Sequence, residues 1–327
     1  MKPIFTIIIP AYNVENYIGI AIESCINQKN IAPFEYEIIV INDGSSDNTQ
    51  GAMDKYRHIN NVLLVSKENE GLSVTRNKGV ELANGDYILF LDGDDWFHED
   101  TLFTLKGYIG KADLIIFPMV YYYTETNQVY NSLNLISNHV YTPKELLRKT
   151  IGSSQFQSCP APIKCYQASI FKDNHLRFIE GILHEDGPFY LEVLASVKSI
   201  LYVDKFLYFY RQQRMGSITT EKHTWKNIEG IIIGQQNIFN VYQFSNKDVN
   251  YYYLASSILL FFQKYKSEED YLKLKSYFSK VSTRKFLFRS LCSFRFHFQS
   301  LLFAIFIIIA PSIFLRLILF IKGNSRT

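Results

Sequence analysis

Cysteine is scarce in this chain: four in 327 residues, Cys25, Cys159, Cys165 and Cys292, and no two of them form a CxxC pair. That excludes a zinc ribbon and a dithiol redox pair. Scattered thiols in a long chain suit a reducing compartment better than a disulfide-stapled scaffold. Glycine and proline are modest, at 16 and 9, so collagen-like and low-complexity classes are excluded as well. No GxGxxG follows the first apolar run, and GxxxxGK(S/T) does not occur. The signatures of a dinucleotide oxidoreductase and of a P-loop protein are therefore missing. Acidic residues vanish near the end: after Asp270 there is no Asp or Glu, but there are ten Lys or Arg. The opening apolar run, Ile4 to Ile9, is too short for a signal peptide and lacks a small-residue cleavage site. A buried strand, and no secretory export, are expected there.

What is present is a globular composition, 47% hydrophobic and 20% charged. A chain of this length buries a sizeable core as one large domain or two smaller ones. The net charge of +3 hides a split: residues from Lys264 onward carry 12 basic and 3 acidic side chains, and residues 1–263 carry 22 and 28. A weakly acidic body argues against nucleic acid as a partner. Between Arg295 and Arg316 lie 20 residues without a formal charge, including Leu301 to Ile309. As a helix that stretch would be about 30 Å long, close to one hydrocarbon core. Pro311 interrupts it, and cations flank it from Arg284 to Arg295 and again at Arg316, Lys322 and Arg326. The pattern predicts association with an anionic membrane surface through residues 284–322, lying in the interface in preference to spanning it. A buried C-terminal helix is the alternative.

Short apolar runs at Phe5–Ile9, Glu37–Ile41, Val62–Val65, Tyr87–Leu91 and Leu114–Phe117 read as buried strands. Helices are expected at Glu15–Asn27, Thr49–Tyr56, Ser73–Leu82 and Glu99–Tyr108. Strands alternating with helices predict an α/β domain on a parallel sheet. We divide the chain into a domain over 1–220, with halves at 1–120 and 121–220, and a helical region over 221–327.

Polar residues collect where those strands end: Pro10-Ala-Tyr-Asn13, Asn42-Asp43-Gly44-Ser45-Ser46-Asp47 and Leu91-Asp92-Gly93-Asp94-Asp95. In open α/β sheets ligands bind at the carboxyl ends of strands. Three acids within Asp92–Asp95 repel one another unless they are solvated or hold a cation, and hard oxygen ligands in a sparse set suit Mg²⁺ or Mn²⁺ completed by a diphosphate. An acidic turn after a strand is the plainer reading.

Thr6-Ile-Ile-Ile-Pro-Ala-Tyr-Asn13, Ile41-Asn-Asp-Gly-Ser-Ser-Asp47, Asn69-Glu-Gly-Leu72, Arg76-Asn77-Lys78-Gly79, Gly85-Asp86-Tyr87 and Leu91-Asp-Gly-Asp-Asp-Trp96 occur in this order. Together they resemble the family-2 inverting glycosyltransferases of the GT-A fold, densely over the first 120 residues and more thinly to about residue 220. The resemblance implies a Rossmann-like nucleotide-binding sheet, mixed but mainly parallel and flanked by helices. It implies that Pro10, Ala11 and Tyr12 line the base, with Glu15 near the ribose or base and Asp43 accepting from the base N–H. Arg76 falls near the donor, Asp92 and Gly93 face ribose and sugar, and Asp94 binds the metal. Asp92 could join it, and Asp95 could assist or brace the turn. Helix capping for Glu15 and turn formation for Asp43-Gly44 compete with these roles.

An inverting displacement needs a base for the acceptor hydroxyl. The family places it in a Glu-Asp motif on the acceptor side, matched by Glu185-Asp186. This implies Asp186 as base and Glu185 as an acceptor-binding or supporting acid. Two acids at a helix N-terminus with Pro188 behind them are the structural alternative. Tyr210-Arg211-Gln-Gln-Arg214-Met-Gly216-Ser217-Ile218 resembles the family segment in which Arg214 contacts the diphosphate and Ser217 helps close the site.

The expected activity is metal-dependent transfer from a nucleotide-sugar, UDP-linked, to a hydroxyl of a saccharide or lipid-linked saccharide. Its setting would be surface-polysaccharide or lipopolysaccharide synthesis at the cytoplasmic face of a bacterial membrane. A catalytically inactive membrane scaffold and a sugar nucleotidyltransferase are the rivals. The second would want a Gly-rich basic loop after the first strand, which Pro10-Ala-Tyr-Asn13 is not.

Overall fold

The computed structural model describes residues 2–131, 133–150 and 160–212. The helical region expected over 221–327, its membrane-associating tail, and Arg214 with Ser217 lie outside the described residues. Among the described residues no helix is long and apolar enough to cross a membrane.

The unbroken run Phe5–Ala11 forms β1, every residue of it buried. Such runs, without polar alternation, belong to strands covered on both faces. Beside β1 stand β2 (Tyr36–Asp43) and β4 (Tyr87–Phe90), both parallel to it, and β3 (Val62–Lys67) lies parallel on the far side of β2. Ile8 sits opposite both Ile39 and Phe90, at the middle of the core. Pro10 is tolerated in this central strand because the ladder to β4 ends at the Ile8–Phe90 pair, so no ladder bond is lost there. Helices α1 (Ile18–Ile26), α2 (Thr49–Asp54) and α3 (Leu72–Leu82) make the crossovers.

The chain continues through β5 (Trp96–Phe97), α4 (Thr101–Lys106), β6 (Leu114–Ile116), β7 (Met119–Thr124), β8 (Asn127–Asn131), β9 (Val140–Tyr141) and α5 (Pro143–Thr150). After residue 160 come β10 (Lys164–Gln167), α6 (Ser169–Asp173), α7 (Asp186–Ser196), β11 (Ile200–Tyr202) and β12 (Tyr208–Arg211). The main sheet has eight strands in the order β3-β2-β1-β4-β10-β6-β11-β9, and a four-stranded sheet runs β5-β12-β7-β8.

The main sheet is mixed but mainly parallel, as the resemblance implies: β10 runs antiparallel between β4 and β6, and β9 antiparallel to β11. The chain leaves the main sheet after β6 to build the smaller sheet and re-enters in the opposite direction. The first helix begins at Ile18, not Glu15. Tyr17 and Ile18 both donate their N–H to the Val14 carbonyl, so residues 14–17 are turns rather than helix.

Helix α3 lies against β1 at Gly79, where an added Cβ would stand 2.3 Å from Ile8 Cγ2. One turn earlier on the same helix is Arg76, so this close approach sets the depth at which Arg76 meets the sheet. Alanine gains about 1 kcal/mol over glycine in an open helix. Here overpacking should outweigh that gain, and Gly79→Ala should lose roughly 1–2 kcal/mol net. A lower urea midpoint with unchanged slope checks this.

Candidate active site

The centre of the site is a buried arginine. Arg76 is 1% exposed, and its guanidinium faces three carboxylates from distant parts of the chain. Nη1 donates to Glu185 Oε1 at 2.7 Å and to Asp186 Oδ1 at 2.8 Å, while Nη2 donates to Asp92 Oδ1 at 2.8 Å. Behind it stand aromatic rings, with Cζ 5.2 Å from the Phe178 centroid and 6.0 Å from that of Phe90. Phe178 stacks on Phe189 of α7 at 3.7 Å, which docks the start of that helix beside the arginine. Burial works against the Arg76 charge, but Asp186, Asp92 and Glu185 outweigh it and raise its pKa.

The two acids at the start of α7 differ in access. The Glu185 side chain is 9% exposed and that of Asp186 28%. Burial, reinforced by the Asp186 charge and opposed by Arg76, pushes the Glu185 carboxyl up to about 7. Asp186 is also raised by burial, against the pull of Arg76 and Lys164. Lys164 itself is buried on β10, donating to the Pro160 carbonyl with Nζ 4.7 Å from the Tyr190 ring.

At the end of β4 the acidic turn is held from β12. Asp95 is fully buried, accepts from the Tyr208 hydroxyl, and accepts the Arg211 N–H at 2.8 Å. Burial and the charges of Asp94 and Asp92 drive its pKa well above the carboxylate range. The Asp92 N–H reaches the same Tyr208 oxygen at 3.4 Å.

The loops after β1 and β2 are laced together. Glu15 Oε2 accepts the Asn48 N–H and Asp47 Oδ2 accepts the Glu15 N–H, while Asn13 Oδ1 accepts from Ser46. Asp43 binds the Lys67 ammonium and accepts the N–H groups of Glu70 and Gly71. Burial pushes the Asp43 carboxyl up, but those three donors outweigh it and hold it below its usual range.

Residues 6–174 match the family model described as "Glycosyl transferase family 2". The chain belongs to that family. Glycosyltransferase GlyA of Streptococcus pneumoniae serotype 4 is 32% identical over 229 residues, covering 66% of this chain and 32% of GlyA. EpsH of Bacillus subtilis strain 168 is 31% identical over 216 residues, covering 64% of this chain and 61% of EpsH. The chain thus spans about a third of the one relative and three fifths of the other. Among solved structures, Staphylococcus aureus TarS 1–349 in complex with UDP superposes with a TM-score of 0.73 at 22% identity, covering 100% of this chain and 92% of that one. The TarS complex with UDP-GlcNAc gives 0.70 at 20% identity, with 99% and 92% covered. This likeness assigns the GT-A fold.

In this family-2 chain the fold brings Arg76, Asp92, Glu185 and Asp186 into one cluster, although up to 110 positions separate them. Gly93 lies against the end of β1: a Cβ on it would stand 2.9 Å from the Pro10 carbonyl oxygen. Pro10 and Ala11 are buried inside β1, whereas Tyr12 emerges at its end, 48% exposed. Glu15 bonds the loop after β2, and Asp43 bonds the end of β3 and the segment that follows it. Asp95 braces the turn, and Glu185 is buried.

Of the acidic turn, Asp92 bonds Arg76 and Asp95 bonds Tyr208 and the Arg211 N–H, and Asp94, half-buried between them, is the position that the family resemblance assigns to a cation. Among the described residues no three His, Cys, Asp or Glu side chains stand close enough to hold a metal alone. One carboxylate beside a phosphate-binding fold fits Mg²⁺ or Mn²⁺, which keep waters and share their shell with substrate oxygens. Sequence reasoning missed Lys164 and Tyr208. A lysine within the apolar Ile163–Cys165 stretch was a signal for the first; nothing in the sequence marked the second.

Two outcomes follow from the arginine cluster. Arg76→Met, leaving three carboxylates without their counter-charge, should lose about 3–5 kcal/mol in urea unfolding, because breaking a buried pair strands the partner. Glu185 binds its proton more tightly folded (about 7) than at its ordinary 4.5, so its contribution to stability falls as pH rises through that window. Glu185→Gln should flatten the decline of thermal midpoint across the same interval, read by calorimetry.

Proposed function

We propose that this chain transfers a sugar, with inversion, from a UDP-sugar to a hydroxyl of a saccharide or lipid-linked saccharide. The observation that carries the reading is the single guanidinium of Arg76 joining Asp92, on the donor side of the sheet, to Asp186, on the acceptor side. A displacement at the anomeric carbon needs a base and a donor sugar at fixed separation. Arg76 supplies that separation.

Asp186 is the base in this reading. It is the more accessible of the α7 acids, and its raised pKa makes it a better proton acceptor near neutrality. It takes the proton from the acceptor hydroxyl as that oxygen attacks. Glu185 shares Arg76 Nη1 and keeps Asp186 oriented. Asp92 Oδ1 is turned to Arg76, so its second oxygen is the one to meet ribose or sugar hydroxyls. Tyr12 offers its exposed ring to the base. Asp94 would hold a divalent cation, which when bound neutralises charge on the departing diphosphate.

A hexosyl or N-acetylhexosaminyl donor is in keeping with the UDP-GlcNAc complex of TarS. The uncharged run and ten terminal cations support association with an anionic membrane surface at the cytoplasmic face of a bacterial membrane. A polysaccharide or lipopolysaccharide under assembly there would be the acceptor.

Calorimetry with UDP, GDP, dTDP and CMP, with and without Mn²⁺, tests the donor site. Metal-enhanced binding of UDP alone is expected, and a folded protein binding none of the four would sink the proposal. Asp186→Asn should keep UDP binding while sugar transfer from UDP-sugars drops about 10²- to 10⁴-fold, the range for a lost general base.

A further inference from the structure

Arg211, the last residue of β12, grips the acidic turn twice. Its backbone N–H donates to Asp95 Oδ1 at 2.8 Å, and its Nε–H donates to the Asp94 carbonyl oxygen at 2.9 Å. The guanidinium is packed among rings from three parts of the chain: Cζ lies 4.7 Å from the Trp96 centroid, 5.0 Å from that of Tyr17 and 5.9 Å from that of Tyr122. Ordering an arginine costs about as much rotamer entropy as any side chain can lose. Here the aromatic packing meets that cost, and the hydrogen bond it delivers goes to the backbone of the residue read above as the cation ligand.

A bond to the Asp94 carbonyl fixes the peptide plane between Asp94 and Asp95. The Asp95 carboxylate, held by Tyr208 and by the Arg211 N–H, pins the other side of that peptide. With both sides pinned, the Asp94 Cα, which lies in that peptide plane, is held in place. We infer that Arg211 is a positioning residue for cation binding: it locks the Asp94–Asp95 peptide so that Asp94 meets the metal already in place. Pre-ordered ligands bind more tightly because the ordering is not charged to the binding step. The inference rests on the reading of Asp94 as metal ligand.

The test is Mn²⁺ titration, followed by electron paramagnetic resonance of free Mn²⁺, into full-length protein saturated with UDP. Arg211→Met keeps an apolar stem against Trp96 and removes the Nε–H. It should weaken Mn²⁺ binding about tenfold, on the scale of one lost charge-assisted hydrogen bond. Metal-free UDP affinity should stay as in the wild type. Tyr17→Leu, which loosens the guanidinium and leaves the bond, should shift Mn²⁺ binding the same way by a smaller factor. It serves as the arbiter if Arg211→Met does not fold. Unchanged Mn²⁺ affinity in these variants, with binding lost in Asp94→Ala, overturns the inference and leaves the metal-ligand reading standing. Undiminished Mn²⁺ binding in Asp94→Ala removes that reading and the inference with it. An equal loss of metal-free UDP binding in Arg211→Met would make Arg211 a ligand contact and not a positioning residue.

Discussion

A guanidinium cannot be stripped of water without acceptors to replace it. At Arg76 the replacements come from β4 and from the start of α7, while its helix is held against β1 by a glycine-sized gap. Satisfying one cation therefore demands that the segments carrying Arg76, Asp92 and Glu185-Asp186 all be folded and in register. Phe90, Phe178 and Phe189 surround it with apolar surface, which strengthens each electrostatic contact and raises the penalty for leaving one unmade. The rest of the site hangs from this arrangement. Asp186 is aimed by it, Glu185 is buried by it, and one oxygen of Asp92 is turned by it.

The acidic turn shows how like charges share a small space. Asp92 is paired with Arg76, and Asp95 is buried against Tyr208, where its proton is favoured. The three carboxylates of one tetrapeptide serve three separate ends because each meets a different environment.

Much of this could be read in the sequence where the physics is local. β1, β2, β3 and β4 follow from uninterrupted apolar runs, and Asp43 and Asp92 fall at strand ends because polar residues mark where burial stops. Asp186 came from motif order, and its place at a helix start agreed with Pro188. What could not be read depends on contacts far apart in the chain. That Arg76 faces Asp186, across 110 positions, is a property of the assembled sheet. Tyr208 looks like an ordinary strand residue until β12 is set beside its neighbours. The direction of β10 escaped for the same reason: nothing in Lys164–Gln167 tells which way a four-residue strand will run. Glu15 was misread as a helix opener because the chain turns on the Val14 carbonyl before α1 begins; its carboxylate accepts the N–H of Asn48, just ahead of α2.

The antiparallel strand β10 has a mechanical consequence. It is hydrogen-bonded to β4 on one edge and to β6 on the other, with Cys165 opposite both Leu89 and Ile115. The two halves are thereby stitched into one continuous sheet rather than joined by a linker. Many two-part enzymes admit substrate by opening a cleft about a hinge, but here such an opening would tear a backbone ladder. The spacing of Asp92 and Asp186 about Arg76 is thereby fixed at folding.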